Sequence, residues 1–314
     1  MRKYVTIVGA GAIGTIIASH IASVRPVTIL CRTSTCVSEI KERGLVTRIL
    51  DKDVIEVKTV DVITSNECYS RSIDDCGFVI IATKAYSLGS ALRAINNCCR
   101  RMTMILSTQN GLGSLETIEY LYGAENSAAM IISYGAIREG YGKAVLTGQG
   151  EIILGQREGL KNPSLGEFYD LLKDSGLEAK LINSDIEPYR WLKLAINAAI
   201  NPLTTILNAP NRIIIDDIDA RNIAFKIVKE VELVARKKNI VFPQDPVTKL
   251  VEVARATGEN LSSMLQDVIN KRKTEIDFIN GAVVVLGKKY HIETPYNKLL
   301  WKLVKVLEKW RLRI

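Results

Sequence analysis

A lysine and two asparagines stand four residues apart within residues 189–211, YRWLKLAINAAINPLTTILNAPN. On an α-helix, Lys193, Asn197 and Asn201 would follow one another along a single face. The residues between them are mostly apolar, so an ammonium group and two amides would need partners if that face is buried. Spacing alone leaves two interpretations open: a surface lysine beside asparagines that join helices, or a polar wall presented to a ligand.

Pro202 follows this row directly. Because proline has no amide hydrogen, it kinks or ends a helix and leaves a carbonyl group without its helical partner. We therefore predict that the helix beginning at Glu187 ends at Ile200, with free carbonyl groups beside Asn201.

A glycine-rich turn near the N-terminus could hold a phosphate. Tyr4–Val8 is a β-branched run that predicts a strand, Gly9–Gly14 reads GAGAIG, and Ile16–Ile21 continues as an apolar helical segment. Strand, G-x-G-x-x-G and helix is the arrangement that binds the pyrophosphate of a dinucleotide at a helix N-terminus. These glycines also explain the N-terminus better than a signal peptide does, so no targeting segment is expected.

The residues after the second predicted strand, Val27–Leu30, bear on the choice of cofactor. An enzyme selective for NAD usually has Asp or Glu at this point to bind the ribose hydroxyls. This chain has Arg32, followed by Thr33 and Ser34, and an arginine fork suits the 2′-phosphate of NADP. NADPH is therefore the expected cofactor, with use of NADH left open and an ordinary surface arginine as the alternative.

Two further polar residues follow predicted strands. Phe78–Ala82 is a continuous apolar run, as in a central parallel strand covered on both faces, and it leads to Lys84. Met104–Ser107 leads in the same way to Asn110. The carboxyl ends of parallel strands meet at the edge where α/β sheets bind ligands, so both residues are expected at that edge.

The remaining pattern divides the chain into two domains. Further strands are predicted at Val46–Leu50, Val54–Val60, Ala128–Ser133, Glu151–Leu154 and Leu177–Ile182, with a Gly-rich hairpin region before Glu151 and a helix at Phe168–Leu172. After residue 183 only helices are predicted, at Glu187–Ile200, Ala220–Lys238, Pro246–Thr257, Ser262–Leu286 and Tyr296–Arg313. The fold class is therefore an α/β Rossmann-type dinucleotide-binding domain, residues 1–183, followed by an all-α substrate domain, residues 184–314. The cleft between them is the expected place for chemistry.

The composition limits the classes of protein and partner. At 314 residues, 47% hydrophobic and 24% charged, the chain is typical of a soluble globular protein. No apolar run approaches the ~20 residues of a membrane span, so a cytoplasmic protein without membrane contact is expected. The net charge of +8 lies mostly in residues 184–314, where 22 Lys/Arg stand against 15 Asp/Glu. No nucleic-acid-binding motif accompanies this charge, so no nucleic-acid partner is expected.

All six cysteines lie in the first third of the chain, at Cys31, Cys36, Cys68, Cys76, Cys98 and Cys99. They form no C-x-x-C pair, and the two histidines, His20 and His291, lie at no zinc-ligand spacing. We expect free, mostly buried thiols and no metal site. Disulfides stay as an alternative because intracellular proteins of thermophiles form them.

The last predicted helix carries an apolar stripe. The stripe consists of Leu299, Leu300, Leu303, Leu307 and Trp310. It can pack within the chain or against a second copy, and we expect a homodimer.

Four motifs resemble those of the ketopantoate reductase (2-dehydropantoate 2-reductase) family, in the same order and over essentially the full chain. They are GAGAIG at 9–14, TQNG at 108–111, KLAINAAINPLT at 193–204 and SSMLQDVINKRKTEID at 262–277. The resemblance implies stereospecific, NADPH-dependent reduction of 2-dehydropantoate (ketopantoate) to (R)-pantoate, on the way to pantothenate and coenzyme A.

The resemblance also implies roles for individual residues. The family's proton-donating lysine matches Lys193, and an important glutamate near the cofactor matches Glu275. The cofactor contacts match Gly9, Ala10, Gly11, Ala12, Ile13, Gly14, Arg32, Lys84, Asn110, Ala136 and Glu275. The substrate contacts match Asn110, Lys193, Asn197, Asn201, Asn211, Ser263, Met264, Leu265 and Gln266.

Hydride addition to a ketone leaves negative charge on oxygen, which Lys193 could stabilise and then protonate. On one continuous helix, Glu275 would lie more than three turns beyond Ser263. Ser263 would then meet the substrate carboxylate, and Glu275 would face Lys193 or the nicotinamide ribose. Spacing alone favours a plainer alternative, in which Glu275 pairs with Lys271 and Asp277 with Lys273 along the helix.

Other classes compete with this hypothesis. A 3-hydroxyacid or glycerol-3-phosphate dehydrogenase would have similar architecture, and a non-catalytic NADP(H) sensor would bind nucleotide without turnover. Coenzyme A contains an adenosine and a pyrophosphate, as the cofactor does, so feedback inhibition by coenzyme A is also predicted.

Overall fold

The computed structural model describes residues 4–49, 54–64, 66–67, 76–99, 102–148 and 150–312, and only the backbone of Leu312. The chain forms two compact units. One comprises Met1–Gln109 and Ser114–Ile186, and the other comprises Asn110–Gly113 and Glu187–Ile314. The second unit therefore takes four of its residues from the first half of the chain.

The first unit contains strands and helices in alternation. Its strands are β1 (Val5–Val8), β2 (Val27–Cys31), β3 (Leu45–Ile49), β4 (Val54–Val57), β5 (Asp61–Thr64), β6 (Gly77–Ile81), β7 (Met102–Ser107), β8 (Ser127–Ile132), β9 (Gly135–Gly140), β10 (Lys143–Gly148), β11 (Ile152–Gly155) and β12 (Ala179–Ile182). Its helices are α1 (Ala12–Ile21), α2 (Ser34–Arg43), α3 (Leu88–Cys98), α4 (Ser114–Tyr122) and α5 (Pro163–Asp174). The predicted strand ending at Leu50 ends at Ile49, and Leu50 lies outside the described residues.

In the described part of the chain, eight strands form the main sheet, in the order β12-β11-β8-β7-β6-β1-β2-β5. The six strands from β5 to β8 run parallel, and β11 runs antiparallel to β8. Every residue of β1, β2 and β6 is buried, as expected for parallel strands covered on both faces. The order of the strands reverses between β1 and β6, which is where such sheets bind ligands. The predicted Rossmann-type fold of this region is confirmed.

A second sheet, in the order β4-β3-β10-β9, lies against α1. Thr47 of β3 donates a hydrogen bond of 2.9 Å to Ser19 of α1. The hairpin of β9 and β10 occupies the region that the sequence marked only as Gly-rich. The sequence pattern did not resolve these two strands because each contains glycine and charged residues and neither has an apolar run longer than three residues.

The expectation of free thiols is wrong for the cysteines that the structure describes. Cys31 is bonded to Cys36, with 6.1 Å between their Cα atoms, and Cys76 is bonded to Cys99, at 5.5 Å. The first bond spans the turn from β2 into α2, and the second joins the start of β6 to the end of α3. These cysteines pair because the fold brings their Cα atoms within bonding range, and the spacing of cysteines in the sequence does not show this. Cys68 lies outside the described residues.

The second unit is helical. Its helices are α6 (Glu187–Leu207), α7 (Ile213–Asp216), α8 (Ile218–Lys237), α9 (Pro246–Ala256), α10 (Ser263–Ile269), α11 (Asn280–Lys289) and α12 (Pro295–Leu312). Its core surrounds α6, where Trp191, Ala195, Ala198 and Ala199 are fully buried. This confirms the predicted all-α character of the C-terminal region. In the described ranges, no helix is both long and apolar enough to cross a membrane.

The predicted helix Ser262–Leu286 is two helices. The chain leaves α10 at Asn270, and Lys271 has a left-handed φ of +52°. The Arg272 amide then bonds back to the Asp267 carbonyl at 2.7 Å, as at many helix ends. Glu275 therefore lies on the connection before α11, and its supposed helical pairing with Lys271 does not apply.

Pro202 does not end its helix, because α6 continues to Leu207. The carbonyl that loses its helical partner is that of Ala198, four residues earlier. The side chain of Asn280 on α11 donates a hydrogen bond of 2.9 Å to this oxygen. The freed carbonyl is thus satisfied within the protein core and is not offered to a ligand.

The apolar stripe of the last helix divides into two faces. Leu300 is buried, whereas Leu299, Leu303 and Trp310 are exposed and Leu307 is half-buried. Arg313, the predicted end of this helix, lies outside the described residues.

Candidate active site

The glycine-rich turn joins β1 to α1 at the point where the strand order reverses. Gly9 has a φ of +107°, which L side chains rarely adopt. A Cβ on Gly14 would lie 2.0 Å from the Gly9 carbonyl oxygen, so this third glycine is required for close packing of the helix on the turn. A Cβ on Gly11 would meet no atom within 4 Å, although Gly11 is the N-cap of α1.

This difference among the glycines fits a bound dinucleotide. Gly9 and Gly14 are explained by the protein's own packing, whereas Gly11 leaves open space at a helix N-terminus. That is where the backbone of such a turn approaches a pyrophosphate. Ala10 is buried, Ala12 opens the helix, and Ile13 packs against the core of the sheet.

Lys84 follows β6 on the loop beside this turn. A Cβ on Gly9 would lie 3.0 Å from Cγ2 of Thr83, so the two loops are in contact. Lys84 is half-buried and precedes a short 3-10 turn at Ala85–Ser87. The structure therefore brings Lys84 to the edge of the sheet that carries the glycines.

Arg32 lies directly after β2, and its side chain is exposed. The next residue, Thr33, caps α2 by accepting a hydrogen bond of 3.3 Å from the Cys36 amide. Ala136 lies on β9 opposite Leu146 and is half-buried.

The polar row of the second unit lies on α6. Lys193 and Asn197 are half-buried, and Asn201 is buried. Burial lowers the pKa of the Lys193 ammonium to about 8, and the negative charge of Glu275 opposes this shift. Lys193 is therefore not the solvated surface lysine of the plainer interpretation.

Asn110 connects this row to Glu275. Its side chain donates a hydrogen bond of 3.1 Å to the buried Glu275 carboxylate and accepts one of 3.4 Å from Asn197. Gly111 has a φ of +84°, and a Cβ there would lie 2.1 Å from the Phe278 carbonyl oxygen. Only glycine allows this approach, which places Asn110 beside the connection that carries Glu275.

Two other predicted substrate residues, Asn201 and Asn211, differ from this group in their hydrogen bonds. The Asn211 side chain donates to Thr257 at 3.0 Å, while its Oδ1 atom is buried without a hydrogen-bond partner in the described part of the chain. Asn201 accepts hydrogen bonds at its backbone carbonyl from Thr204 and Thr205.

The SSMLQ run has one exposed hydroxyl. Ser263 is exposed at the first position of α10, whereas Met264 and Leu265 are buried. The Gln266 side chain donates to the Leu261 carbonyl at 2.9 Å.

Sequence reasoning missed the residue that fixes α10 to α6. Ser262 caps α10 through its hydroxyl, which accepts from the Leu265 amide at 3.2 Å and from Thr204 of α6 at 2.8 Å. The signal for this cap was present, because serine at the start of a predicted helix is the usual N-cap.

Within the second unit, the structure thus assembles Lys193, Asn197, Asn110 and Glu275 from three separate segments. An ammonium with a lowered pKa can stabilise a developing oxyanion and release a proton near neutral pH. The amides can bind hydroxyl and carboxylate groups without adding charge. In the described ranges, no cluster of three or more His, Cys, Asp or Glu residues could hold a metal ion.

A Rossmann-type unit followed by a helical unit with a half-buried lysine beside a buried glutamate is an architecture of dinucleotide-binding oxidoreductases. The family model described as "Ketopantoate reductase PanE/ApbA" matches residues 5–159, and its "C terminal" counterpart matches residues 185–308. The chain belongs to the ketopantoate reductase PanE/ApbA family.

Relatives and solved structures agree with this membership. The 2-dehydropantoate 2-reductase of Pyrobaculum aerophilum is 42% identical over 236 residues, 75% of this chain and 78% of that protein. That of Pyrococcus horikoshii is 33% identical over 302 residues, 96% of each.

The solved structure of 2-dehydropantoate 2-reductase from Geobacter metallireducens GS-15 has a TM-score of 0.87 and 25% identity, covering 96% of this chain and 99% of that one. The ternary structure of D-mandelate dehydrogenase with NADH and anilino(oxo)acetate has a TM-score of 0.90 and 29% identity, covering 99% of both.

Proposed function

We propose that this protein reduces 2-dehydropantoate to (R)-pantoate with NADPH. The proposal depends on one observation: burial lowers the pKa of Lys193 to about 8 beside the charge of Glu275. This lysine lies in a chain of the ketopantoate reductase family. In this proposal residues 1–183 provide most of the cofactor contacts, and residues 184–314 together with Asn110 bind the substrate.

Bound NADPH would supply the hydride to the carbonyl carbon. The chain's own task is to manage the charge that develops on the carbonyl oxygen. Lys193 stabilises that oxygen as an ammonium and then transfers one proton to it, which gives the hydroxyl of the product and leaves a neutral amine. Solvent returns a proton to the amine before the next turnover.

Glu275 keeps the lysine ready for this task. Its negative charge favours the ammonium form against the effect of burial. Asn110 donates to the same carboxylate, and Asn197 holds Asn110 in turn. Asn201, Asn211 and the exposed Ser263 complete the proposed contacts to the substrate hydroxyl and carboxylate.

Arg32 supports NADPH rather than NADH as the cofactor. No carboxylate follows β2 at the position where an NAD-selective enzyme has one. Arg32→Asp should weaken NADPH by about 2–4 kcal/mol if the guanidinium contacts the 2′-phosphate with two hydrogen bonds, and should affect NADH far less. Fluorescence titration of both nucleotides with wild type and variant measures this, and equal wild-type affinities left unchanged by the variant would refute the assignment.

A second candidate is reduction of another 2-oxo acid. The likeness to D-mandelate dehydrogenase in complex with NADH favours it, because that structure covers 99% of this chain with a TM-score of 0.90. Initial rates of NADPH and NADH oxidation should be compared for 2-dehydropantoate and phenylglyoxylate, the 2-oxo acid that corresponds to mandelate. A higher kcat/KM for phenylglyoxylate would exclude ketopantoate as the preferred substrate.

The proposal extends to the protein's place in the cell. The enzyme would act in the cytoplasm as a homodimer and supply pantoate for pantothenate and coenzyme A. Coenzyme A would inhibit it by competing with NADPH, since both contain an adenosine and a pyrophosphate. Inhibition that is absent, or that high NADPH does not relieve, would refute this last part.

A further inference from the structure

The β9–β10 hairpin carries an arginine that the proposed reaction does not use. The guanidinium of Arg138 lies 4.1 Å from the centre of the Tyr141 ring, at the tip of the hairpin. Its Nε atom donates a hydrogen bond of 3.2 Å to the Gly140 carbonyl. Arg138 is half-buried, so the stacked ring and this bond together hold the guanidinium in one place.

Tyr141 links this arginine to the turn that follows β2. Its hydroxyl lies close enough to the side chains of Thr33 and Arg138 for both to act on its pKa. Thr33, then Arg138 and the charge of Arg32, lower the pKa of the phenol against the effect of burial. The two arginines, from separate parts of the chain, therefore act on the same hydroxyl.

These two guanidinium groups lack the counter-charge that arginines usually have. Among the residues that the structure describes, neither Arg32 nor Arg138 forms a salt bridge. The neighbouring carboxylate, Glu139, pairs instead with Arg48 of β3 at 3.5 Å. Like charges held near one another without a carboxylate repel, unless an anion binds between them.

The turn that carries Arg32 is also constrained. The Cys31–Cys36 disulfide closes the loop of four residues that begins with Arg32, and Thr33 is held as the helix cap. Two guanidinium groups and two hydroxyls on constrained backbone can surround a dianionic phosphate, because arginine presents paired donors that match its oxygens.

We propose that Arg138 and Tyr141 form, with Arg32 and Thr33, the subsite that binds the 2′-phosphate of NADPH. Arg138 contacts the phosphate directly, and Tyr141 positions it while joining the hairpin to the turn after β2. Ala136, two residues before Arg138, faces the same side of β9. The inference rests on the proposed use of NADPH.

The test measures binding without turnover. The affinities of wild type and Arg138→Ala for 2′,5′-ADP and for 5′-AMP should be compared by isothermal titration calorimetry. Loss of one charged donor should weaken 2′,5′-ADP by about 10- to 100-fold and leave 5′-AMP within about 2-fold. Arg43→Ala is the matched control, because Arg43 is an exposed arginine at the end of α2 that pairs with Glu42 at 3.9 Å; it should change neither affinity appreciably.

Two further variants sharpen the assignment. Arg138→Lys keeps the charge without the paired donors and should restore only part of the lost affinity. Tyr141→Phe keeps the ring beneath Arg138 but removes the link to Thr33, so it should weaken 2′,5′-ADP by less than Arg138→Ala does. If Arg138→Ala keeps the wild-type ratio of the two affinities while circular dichroism shows a folded protein, the subsite is wrong.

Turnover of 2-dehydropantoate by the same preparations separates the two proposals. A wild type that reduces 2-dehydropantoate, with an Arg138→Ala variant that still prefers 2′,5′-ADP, overturns the subsite alone. A wild type that does not reduce it, but binds 2′,5′-ADP through Arg138, overturns the reductase assignment and supports the subsite.

Discussion

The helical unit contains two clusters built from the same residue types, and they behave differently. In one, Glu230 accepts hydrogen bonds of 2.8 and 2.9 Å from the amides of Tyr296 and Asn297, and one of 2.7 Å from the Asn297 side chain. The Asn297 side chain also accepts from Asn280, which donates to the Ala198 carbonyl. In the other, Glu275 accepts from Asn110 and lies near the ammonium of Lys193.

The contrast lies in what balances the carboxylate. Glu230 is surrounded by backbone and amide donors, in a cluster whose asparagines are fully buried. These donors satisfy the Glu230 carboxylate and fix how the helices pack, although the Oδ1 atom of Asn280 is buried without a hydrogen-bond partner in the described part of the chain. Glu275 instead stabilises a cation that burial disfavours, and that cation is half-buried. A buried carboxylate is therefore a sign of chemistry here only where it faces a group with a shifted pKa.

We expect the largest effect from removing Lys193, the cation of the second cluster. Lys193→Ala should lower kcat by about 10²- to 10⁴-fold, the usual contribution of a positioned acid. Nucleotide binding should hardly change, because the proposed contacts to the pyrophosphate and the 2′-phosphate belong to the other unit. Steady-state kinetics with separate cofactor titration measures both, and a kcat within a few-fold of wild type would show that Lys193 is not the acid.

Breaking the first cluster should affect stability and not chemistry. Asn280→Ala removes the donor to the Ala198 carbonyl and to Asn297, leaving buried acceptors unsatisfied, and should lower the free energy of unfolding by about 2–3 kcal/mol. Urea denaturation at neutral pH measures this. Asn110→Ala serves as the matched change in the other cluster, with a small loss of stability and a clear loss of turnover; the opposite pattern would contradict the comparison.

The pH dependence sharpens the comparison. Lys193 must be protonated to act as the acid, so kcat should fall as the pH rises through about 8. Glu275→Gln removes the charge that raises this pKa while keeping an acceptor for Asn110, so the fall should begin at lower pH. Glu230→Gln should leave the position of this fall unchanged. If the pH profile of kcat does not shift in Glu275→Gln, the charge of Glu275 does not set the pKa of the catalytic acid.

The smallest expected effect concerns the amides of the row. Asn197→Ala and Asn201→Ala should act mainly through KM, by about 10-fold or less, since their contacts would exist already in the ground state. Initial rates over a range of substrate concentrations separate KM from kcat. An effect confined to kcat would place these amides among the groups that respond to the developing charge.

Much of the fold could be predicted because its signals are local. The glycine turn after β1, the apolar run of β6 and the helical periodicity of the second unit all follow from residue type and spacing. The break after α10 could not be read in the same way, because Lys271 takes a left-handed conformation that no glycine announces.

The site was predictable in part. The row on α6 follows from periodicity, but Asn110 and Glu275 meet 165 residues apart in the chain, through Gly111 packed on Phe278. The resemblance of four motifs selected these residues, whereas spacing favoured a helical ion pair for Glu275. The outcome at Pro202 could not be predicted for the same reason, because the donor to the freed Ala198 carbonyl is the side chain of Asn280, 82 residues later in the chain.

The four residues Asn110–Gly113 affect how the helical unit could be expressed as a separate fragment. A fragment that starts at residue 184 or 187 appears, on a linear map, to contain the whole helical unit, yet it would lack Asn110 and the Leu112 amide that bonds to the Phe278 carbonyl at 2.9 Å. Such a fragment would keep Lys193 and Glu275 while losing one side chain that orients the carboxylate. Expression of this unit alone would need the TQNGLG segment restored, for example as a linked peptide ahead of α6.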